Sequence, residues 1–285
     1  MYYGLVGIAV VMFGFMFLTN KKYSEEIGSG LFQAMLLNVL GAVISLPMLL
    51  ALNGFSFEYT HFSFIMGVIV FANGLLFTLC SLKSFSIVNL SVYSLLSMLG
   101  GMILPIIAGV MFFGEKMTVG IIICVAFIIV ALLIGVKPEK YGDKRAILYY
   151  AGVFTFNGLS GVLSKVYVDS PFEKISSAGY SLLCGVISLV ISAVYILVKW
   201  KKRPKITKVA TVYGIATGPL SRIPNYLLLI SLAVLPASVN YPLVTGGTII
   251  VTTVLGYLTD KKPASKDWLA VVLSFFGIMA LTLLT

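Results

Sequence analysis

Apolar residues in this chain do not alternate with polar ones; they run on. Ten stretches, residues 2–19, 30–52, 61–82, 86–113, 117–136, 146–168, 175–198, 207–231, 235–258 and 267–284, are each long enough to cross a hydrocarbon core of ~30 Å as a helix. Continuous runs argue against a membrane barrel, whose strands alternate lipid-facing and lumen-facing residues. The pattern therefore predicts an all-α polytopic membrane protein with ten transmembrane helices. Connectors of at most about ten residues leave no room for a soluble domain. The first stretch lacks a basic start and a small-residue cleavage site, so it is expected to be a span rather than a removable signal.

Composition agrees with this reading. Hydrophobic residues make up 59% of the chain and charged residues 11%, well outside the balance of a soluble domain. The net charge of +10 would suggest nucleic acid in a soluble protein. Here the charge sits in short loops, where cytoplasmic retention and anionic lipid headgroups account for it. Cys80, Cys124 and Cys184 each fall inside an apolar stretch without a C-x-x-C, and His61 is the sole histidine. Disulfides, a zinc site and histidine catalysis are not expected, and no cofactor or metal is implied.

The two halves repeat. The first stretch ends Gly14-Phe-Met-Phe-Leu-Thr-Asn-Lys21 and the sixth ends Gly158-Leu-Ser-Gly-Val-Leu-Ser-Lys165. Tyr2-Tyr3 and Tyr149-Tyr150 open these stretches, and Glu25-Glu26-Ile27 and Glu173-Lys174-Ile175 follow them. Gly100-Gly101 matches Gly246-Gly247, and Glu115-Lys116 matches Asp260-Lys261. A unit of five helices is odd, so the second copy must enter from the opposite side. The expected domains are residues 1–140 and an inverted copy over 141–285. Transporters of this architecture hold substrate near the midplane at the repeat interface.

Charge orients the chain. Lys21, Lys22, Lys83, Lys137, Lys140, Lys144, Arg145, Lys199, Lys201, Lys202, Arg203, Lys205, Lys208, Lys261, Lys262 and Lys266 fall on one side; Lys116 and Lys174 fall on the other. With ten spans this bias places both termini outside a cytoplasmic membrane.

The paired endings Gly14…Lys21 and Gly158…Lys165, the segment Ser231-Leu-Ala-Val-Leu-Pro236-Ala-Ser-Val239 and the Gly114-Glu115-Lys116 turn resemble the drug/metabolite transporter superfamily in its EamA-like branch. The resemblance covers nearly the whole chain. It implies a multi-pass transporter working by alternating access on small metabolites such as amino acids, sugars, nucleotide sugars, phosphorylated sugars, choline or drugs. The chain departs from the family pattern in several places. Phe13 and Asn157 stand where a tryptophan precedes the glycine, and the first stretch has no glutamate for proton coupling. Familiar ten-helix members also keep their termini in the cytoplasm.

The candidate chemistry centres on Arg222, inside the apolar segment Thr207 to Ser231 and between Pro219 and Pro224. It lies roughly nine residues from the downstream end, about 13 Å at ~1.5 Å per residue, too deep for easy snorkelling. Every acidic residue falls in a loop or at a helix end, so no carboxylate is expected at its depth. A guanidinium there either binds a carboxylate or phosphate of the substrate, or satisfies carbonyls freed by the two prolines. Ser221, Asn225 and Tyr226 are its polar neighbours. Asn73, Asn157, Tyr93, Tyr180 and Tyr241 lie at membrane depth as further substrate contacts, with interhelical hydrogen bonding as the alternative. Lys165 is either an interfacial lysine paired with Asp169 or an anion guide at the outer mouth. Pro219 and Pro224 are candidate hinges or kinks, and the two glycine pairs are candidate close-packing sites.

These residues predict a secondary transporter of a small metabolite, an amino acid or an organic anion, with the bilayer as its surroundings and no nucleic-acid partner. No enzymatic activity is expected, and one chain suffices as a monomer. An exporter of hydrophobic or cationic drugs or metabolites is the alternative within transport. A membrane lipid-phosphate enzyme or flippase is the alternative from another class, although it would want a carboxylate pair or a histidine.

Overall fold

A computed structural model describes residues 1–85, 90–135, 144–256 and 265–284. Asn89 and the loop charges Lys137, Glu139, Lys140, Asp143, Asp260, Lys261 and Lys262 lie outside the described residues. The described chain forms ten α-helices: α1 (Tyr2–Ile27), α2 (Leu31–Leu52), α3 (His61–Phe85), α4 (Leu90–Phe112), α5 (Val119–Gly135), α6 (Lys144–Asp169), α7 (Ser177–Lys199), α8 (Lys208–Leu232), α9 (Ala237–Leu255) and α10 (Ser265–Leu283). A short 3-10 turn, Trp200–Lys202, follows α7.

Six of these helices, α1, α2, α3, α6, α7 and α9, contain stretches long and apolar enough to cross a membrane. Ile8, Val43, Ile65, Val190, Val194 and Phe275 are among many large apolar side chains left exposed around the bundle. Such a perimeter suits lipid, because a soluble monomer rarely carries apolar patches of that extent. The chain is a multi-pass, membrane-embedded helical protein. α8 is as long as its neighbours but less apolar, because it carries Thr217, Ser221, Arg222, Asn225 and two prolines.

The predicted first stretch ended at residue 19, whereas α1 continues to Ile27. Hydropathy marks where a helix leaves lipid, not where it stops. Lys21 and Glu25 pair at 3.6 Å one turn apart and support the polar extension. α8 runs unbroken through Pro219 and Pro224. Neither proline ends the helix, although each removes a backbone hydrogen bond from it.

Helix contacts follow a simple rule. α1 packs on α8 and α6 on α3; α4 packs on α6 and α9 on α1; α2 packs on α8 and α7 on α3. Each pair becomes the next when every helix is exchanged for the one five places along the chain. The pairs α2·α7, α4·α9 and α5·α10 join helices related by that same exchange.

Glycines set the closest approaches. At the α2–α8 crossing, a Cβ on Gly41 would lie 2.9 Å from the Gly218 Cα. At the α4–α6 crossing, a Cβ on Gly158 would lie 2.6 Å from the Gly100 carbonyl oxygen. Gly14 and Gly247 admit Val251 and Val10 where α1 meets α9. Helix backbones touch at the first two crossings and a valine packs on each glycine at the third, the small-residue packing that membrane helices use.

Candidate functional site

Helix α8 presents Thr217, Gly218, Ser221, Arg222 and Asn225 along one face at helical spacing, and that face lines a cavity of about 350 Å³. The size falls within the ~300–1,000 Å³ usual for small-molecule sites. α1, α3, α6, α7 and α9 supply most of the remaining wall. The cavity runs from Asn20 and Leu82, near the end of the bundle where α1 and α3 finish, to Tyr180 and Tyr241, near the starts of α7 and α9.

Arg222 lines this cavity. Gly185 on α7 makes room for it: a Cβ there would sit 3.0 Å from Nη1. Among the described residues the guanidinium has no ion pair and no hydrogen bond, neither to a carboxylate nor to a carbonyl freed by Pro219 or Pro224. Its neighbour across the gap is Cys184, a free thiol. A guanidinium carries five donors, and inside this helical bundle water or a ligand must satisfy them.

The other candidates separate into two groups. Asn157, Tyr180, Ser221, Asn225 and Tyr241 line the cavity with Arg222. Asn157 donates to the Ser97 carbonyl at 2.6 Å, Tyr241 to the Gly161 carbonyl at 2.9 Å, and Asn225 to the Ser221 carbonyl at 2.7 Å. Tyr180 stacks on Tyr167 with ring centroids 3.6 Å apart.

Asn73, Tyr93 and Tyr226 are not among the lining residues. Asn73 instead clamps α3 to α6, donating to the Phe156 carbonyl at 2.9 Å and to Ser160 Oγ at 2.8 Å. Tyr93 donates to Ser81 Oγ at 2.9 Å and packs edge-on against Phe17. Tyr226 packs in an apolar cluster with Met12, Leu46 and Leu50.

Lys165 is buried and committed to carboxylates. Its Nζ lies 2.9 Å from Glu115 Oε1 and 3.0 Å from Asp169 Oδ2. It does not line the cavity, and two acidic partners leave it no free charge with which to guide an anion. Glu115 lies in the loop between α4 and α5, as expected of every carboxylate, yet its side chain is only 7% exposed. Gly114, at φ 65°, turns the chain so that Glu115 points back into the bundle. α9 begins after Pro236, which offers no side-chain cap. Glu115 fills that role, accepting from the backbone N–H groups of Ala237 at 2.8 Å and Ser238 at 2.9 Å. Burial alone would raise its pKa. The Ser238 N–H, the Lys165 ammonium and the Ala237 N–H outweigh that and hold the carboxyl below the ordinary glutamate range.

A second carboxylate serves α7. Glu58 accepts from the Ser176 N–H and hydroxyl, both at 2.7 Å, while Ser176 itself caps α7 by accepting from the Gly179 N–H. Those bonds hold the Glu58 carboxyl below its usual range.

Sequence reasoning also passed over lining residues that need a known helix face to be recognised. Ser160 and Ser164 on α6, Ser181 and Ser188 on α7, and Thr217 on α8 all border the cavity. Their spacings of four and seven residues were a usable signal. The aromatic wall, Phe13, Phe17, Phe71 and Phe77, was indistinguishable from ordinary lipid-facing or core aromatics.

No family model and no curated protein matches the sequence. The fold does recur, and 28 chains among solved structures match it. One, a crystal structure of a protein, is 13% identical with a TM-score of 0.74, covering 98% of this chain and 96% of that one. At that identity the likeness is one of fold over essentially the full length of both chains.

Proposed function

We propose that this chain is a secondary transporter of a small metabolite bearing an anionic group, with Arg222 as the anion-binding residue. One observation carries the reading: an arginine lines a ligand-sized cavity among membrane helices without a protein partner among the described residues. A structural lock would show the guanidinium spent on carbonyls or a carboxylate. Asn157, Ser221, Asn225, Tyr180 and Tyr241 border the same space and would orient the rest of the cargo.

The architecture belonging to this reading is ten spans arranged as two inverted five-helix repeats, residues 1–140 and 141–285, of the drug/metabolite transporter type. It is supported by helix contacts that survive the five-place exchange. The pairs Lys21–Glu25 and Lys165–Asp169 support it too, since they recur at matched positions near opposite ends. The two halves would rock about the cavity, exposing Arg222 to each side in turn. The cytoplasmic membrane, with both termini outside, follows from the lysine-rich loops.

Counterflow in proteoliposomes tests the function. Vesicles preloaded with a mixture of small carboxylates should accumulate a labelled member of that mixture against its gradient. Arg222→Gln vesicles holding equal amounts of folded protein should lose at least roughly tenfold of that rate, about 1.4 kcal/mol of transition-state interaction. Unchanged counterflow in the variant would remove Arg222 from the mechanism.

A further inference from the structure

The cavity's lining divides by helix. α6, α7 and α8 contribute Arg222 with Asn157, Ser160, Ser164, Ser181 and Ser221. α1 and α3 contribute Phe13, Phe17, Phe71, Leu75 and Phe77. The polar side chains that α1 and α3 do supply, Asn20, Thr78 and Ser81, lie toward the ends of those helices. Counted along the helices at ~1.5 Å per residue, Phe13 and Phe71 stand about 10 Å farther from those ends than Asn20 and Thr78. A ligand in this cavity therefore meets hydrogen-bonding groups from one set of helices and aromatic rings from the other.

Charge narrows the ligand further. Among the described residues, Arg222 is the only lining side chain with a formal charge. A ligand of net charge −1 leaves the loaded cavity neutral. A zwitterion would bury an ammonium with no carboxylate to meet it, and a dianion would leave one negative charge without a partner. Both are costly away from water. The serines suit a neutral substituent instead. Ser164 and Ser181 donate to carbonyls four residues back, at 3.0 and 2.9 Å, which keeps their lone pairs for a donor on the ligand. The aromatic wall rewards an apolar body.

Building on the anion-site reading above, we infer that the cargo is an amphiphilic monocarboxylate. It has one carboxylate on Arg222, an uncharged polar substituent such as a hydroxyl toward α6 and α7, and a hydrocarbon body against α1 and α3. Neither an amino-acid zwitterion nor a dicarboxylate fits the cavity's charge.

A ligand series varying charge and hydrocarbon body tests this in purified, lipid-reconstituted protein by titration calorimetry. The probes are 2-hydroxyisocaproate at −1, leucine as a zwitterion, leucinamide as a cation, 2-isopropylmalate at −2, and lactate as the monoanion without the hydrocarbon body. Hydroxyisocaproate should bind at least roughly tenfold more tightly than each of the others. Arg222→Gln should erase its advantage over leucine. The ranking is read on wild-type protein, so it stands even if the variant folds poorly. Leucine or isopropylmalate binding as tightly as hydroxyisocaproate overturns the inference. If Arg222→Gln still abolishes that binding, the anion site survives and only the cargo class falls. Lactate binding as tightly as hydroxyisocaproate overturns the apolar wall. Leucinamide binding best, or no carboxylate binding at millimolar concentration, overturns both the inference and the anion site beneath it.

Discussion

Arg222 and Lys165 both drew notice in sequence, Arg222 the more strongly, and they turn out to be different kinds of object. Arg222 stood out because nothing near it along α8 could neutralise it, and among the described residues the fold brings no partner to it either. Lys165 was readable only up to Asp169, one turn away. Its second partner, Glu115, arrives from the turn between α4 and α5, fifty residues earlier in the chain. No local pattern announces such a contact. Asn73 and Asn157 differ for a similar reason: both lie at membrane depth, but only the helix face decides that one clamps α3 to α6 and the other lines the cavity. The Glu115 cluster makes a prediction of its own. Glu115→Gln leaves Lys165 buried with only Asp169 and should destabilise the protein by about 3 kcal/mol. The carboxyl is depressed in the folded state. Its contribution is therefore full above the unfolded pKa of about 4.3 and is lost as pH falls through the lower folded value. Melting curves from neutral pH down through that range should show a shallower acid loss in Glu115→Gln than in wild type. Identical acid slopes would mean that Glu115 is not ionised in this network.

At the scale of elements, the helices were legible as apolar runs, and six of the ten described contain one long and apolar enough to cross a membrane. Their ends were less so. α1 keeps its helical hydrogen bonds beyond Asn20, where Lys21, Lys22, Glu25 and Glu26 lower the hydropathy while Tyr23 and Ile27 stay buried. The glycine pairs were legible as close-packing sites, but which helix each one would meet was not. The contrast between Gly41 and Gly74 tests the contacts found. A Cβ on Gly41 would crowd the Gly218 backbone at 2.9 Å, whereas one on Gly74 meets nothing within 4 Å. Gly41→Ala should lower thermal stability by about 1–3 kcal/mol through overpacking. Gly74→Ala should leave stability unchanged or raise it by up to about 1 kcal/mol, because alanine is the better helix former. Equal losses in the two variants would contradict the α2–α8 crossing.

At the scale of the whole molecule, the sequence pointed to a paired architecture through short recurrences such as Gly14…Lys21 and Gly158…Lys165. The helix contacts have the exchange property such a pairing requires. The cavity does not share that symmetry: the second half supplies the arginine and most of the hydroxyls, and the first half most of the aromatics. Orientation rests on loop charge alone and has a direct check. With both termini outside, a C-terminal alkaline phosphatase fusion should be active and a C-terminal green fluorescent protein fusion dark. The reverse pair of signals would place the lysine-rich loops outside and reverse the proposed topology. The central claim, that Arg222 holds an anionic cargo in the cavity, is tested most directly by thermal stability. Purified wild type and Arg222→Ala are melted against small carboxylates, phosphates, zwitterions and quaternary amines. A ligand at 100 times its dissociation constant adds about 2.7 kcal/mol, enough to move the melting point visibly. The account predicts that carboxylates stabilise wild type and lose that effect in Arg222→Ala. Stabilisation by cations, unchanged or strengthened in the variant, would contradict it.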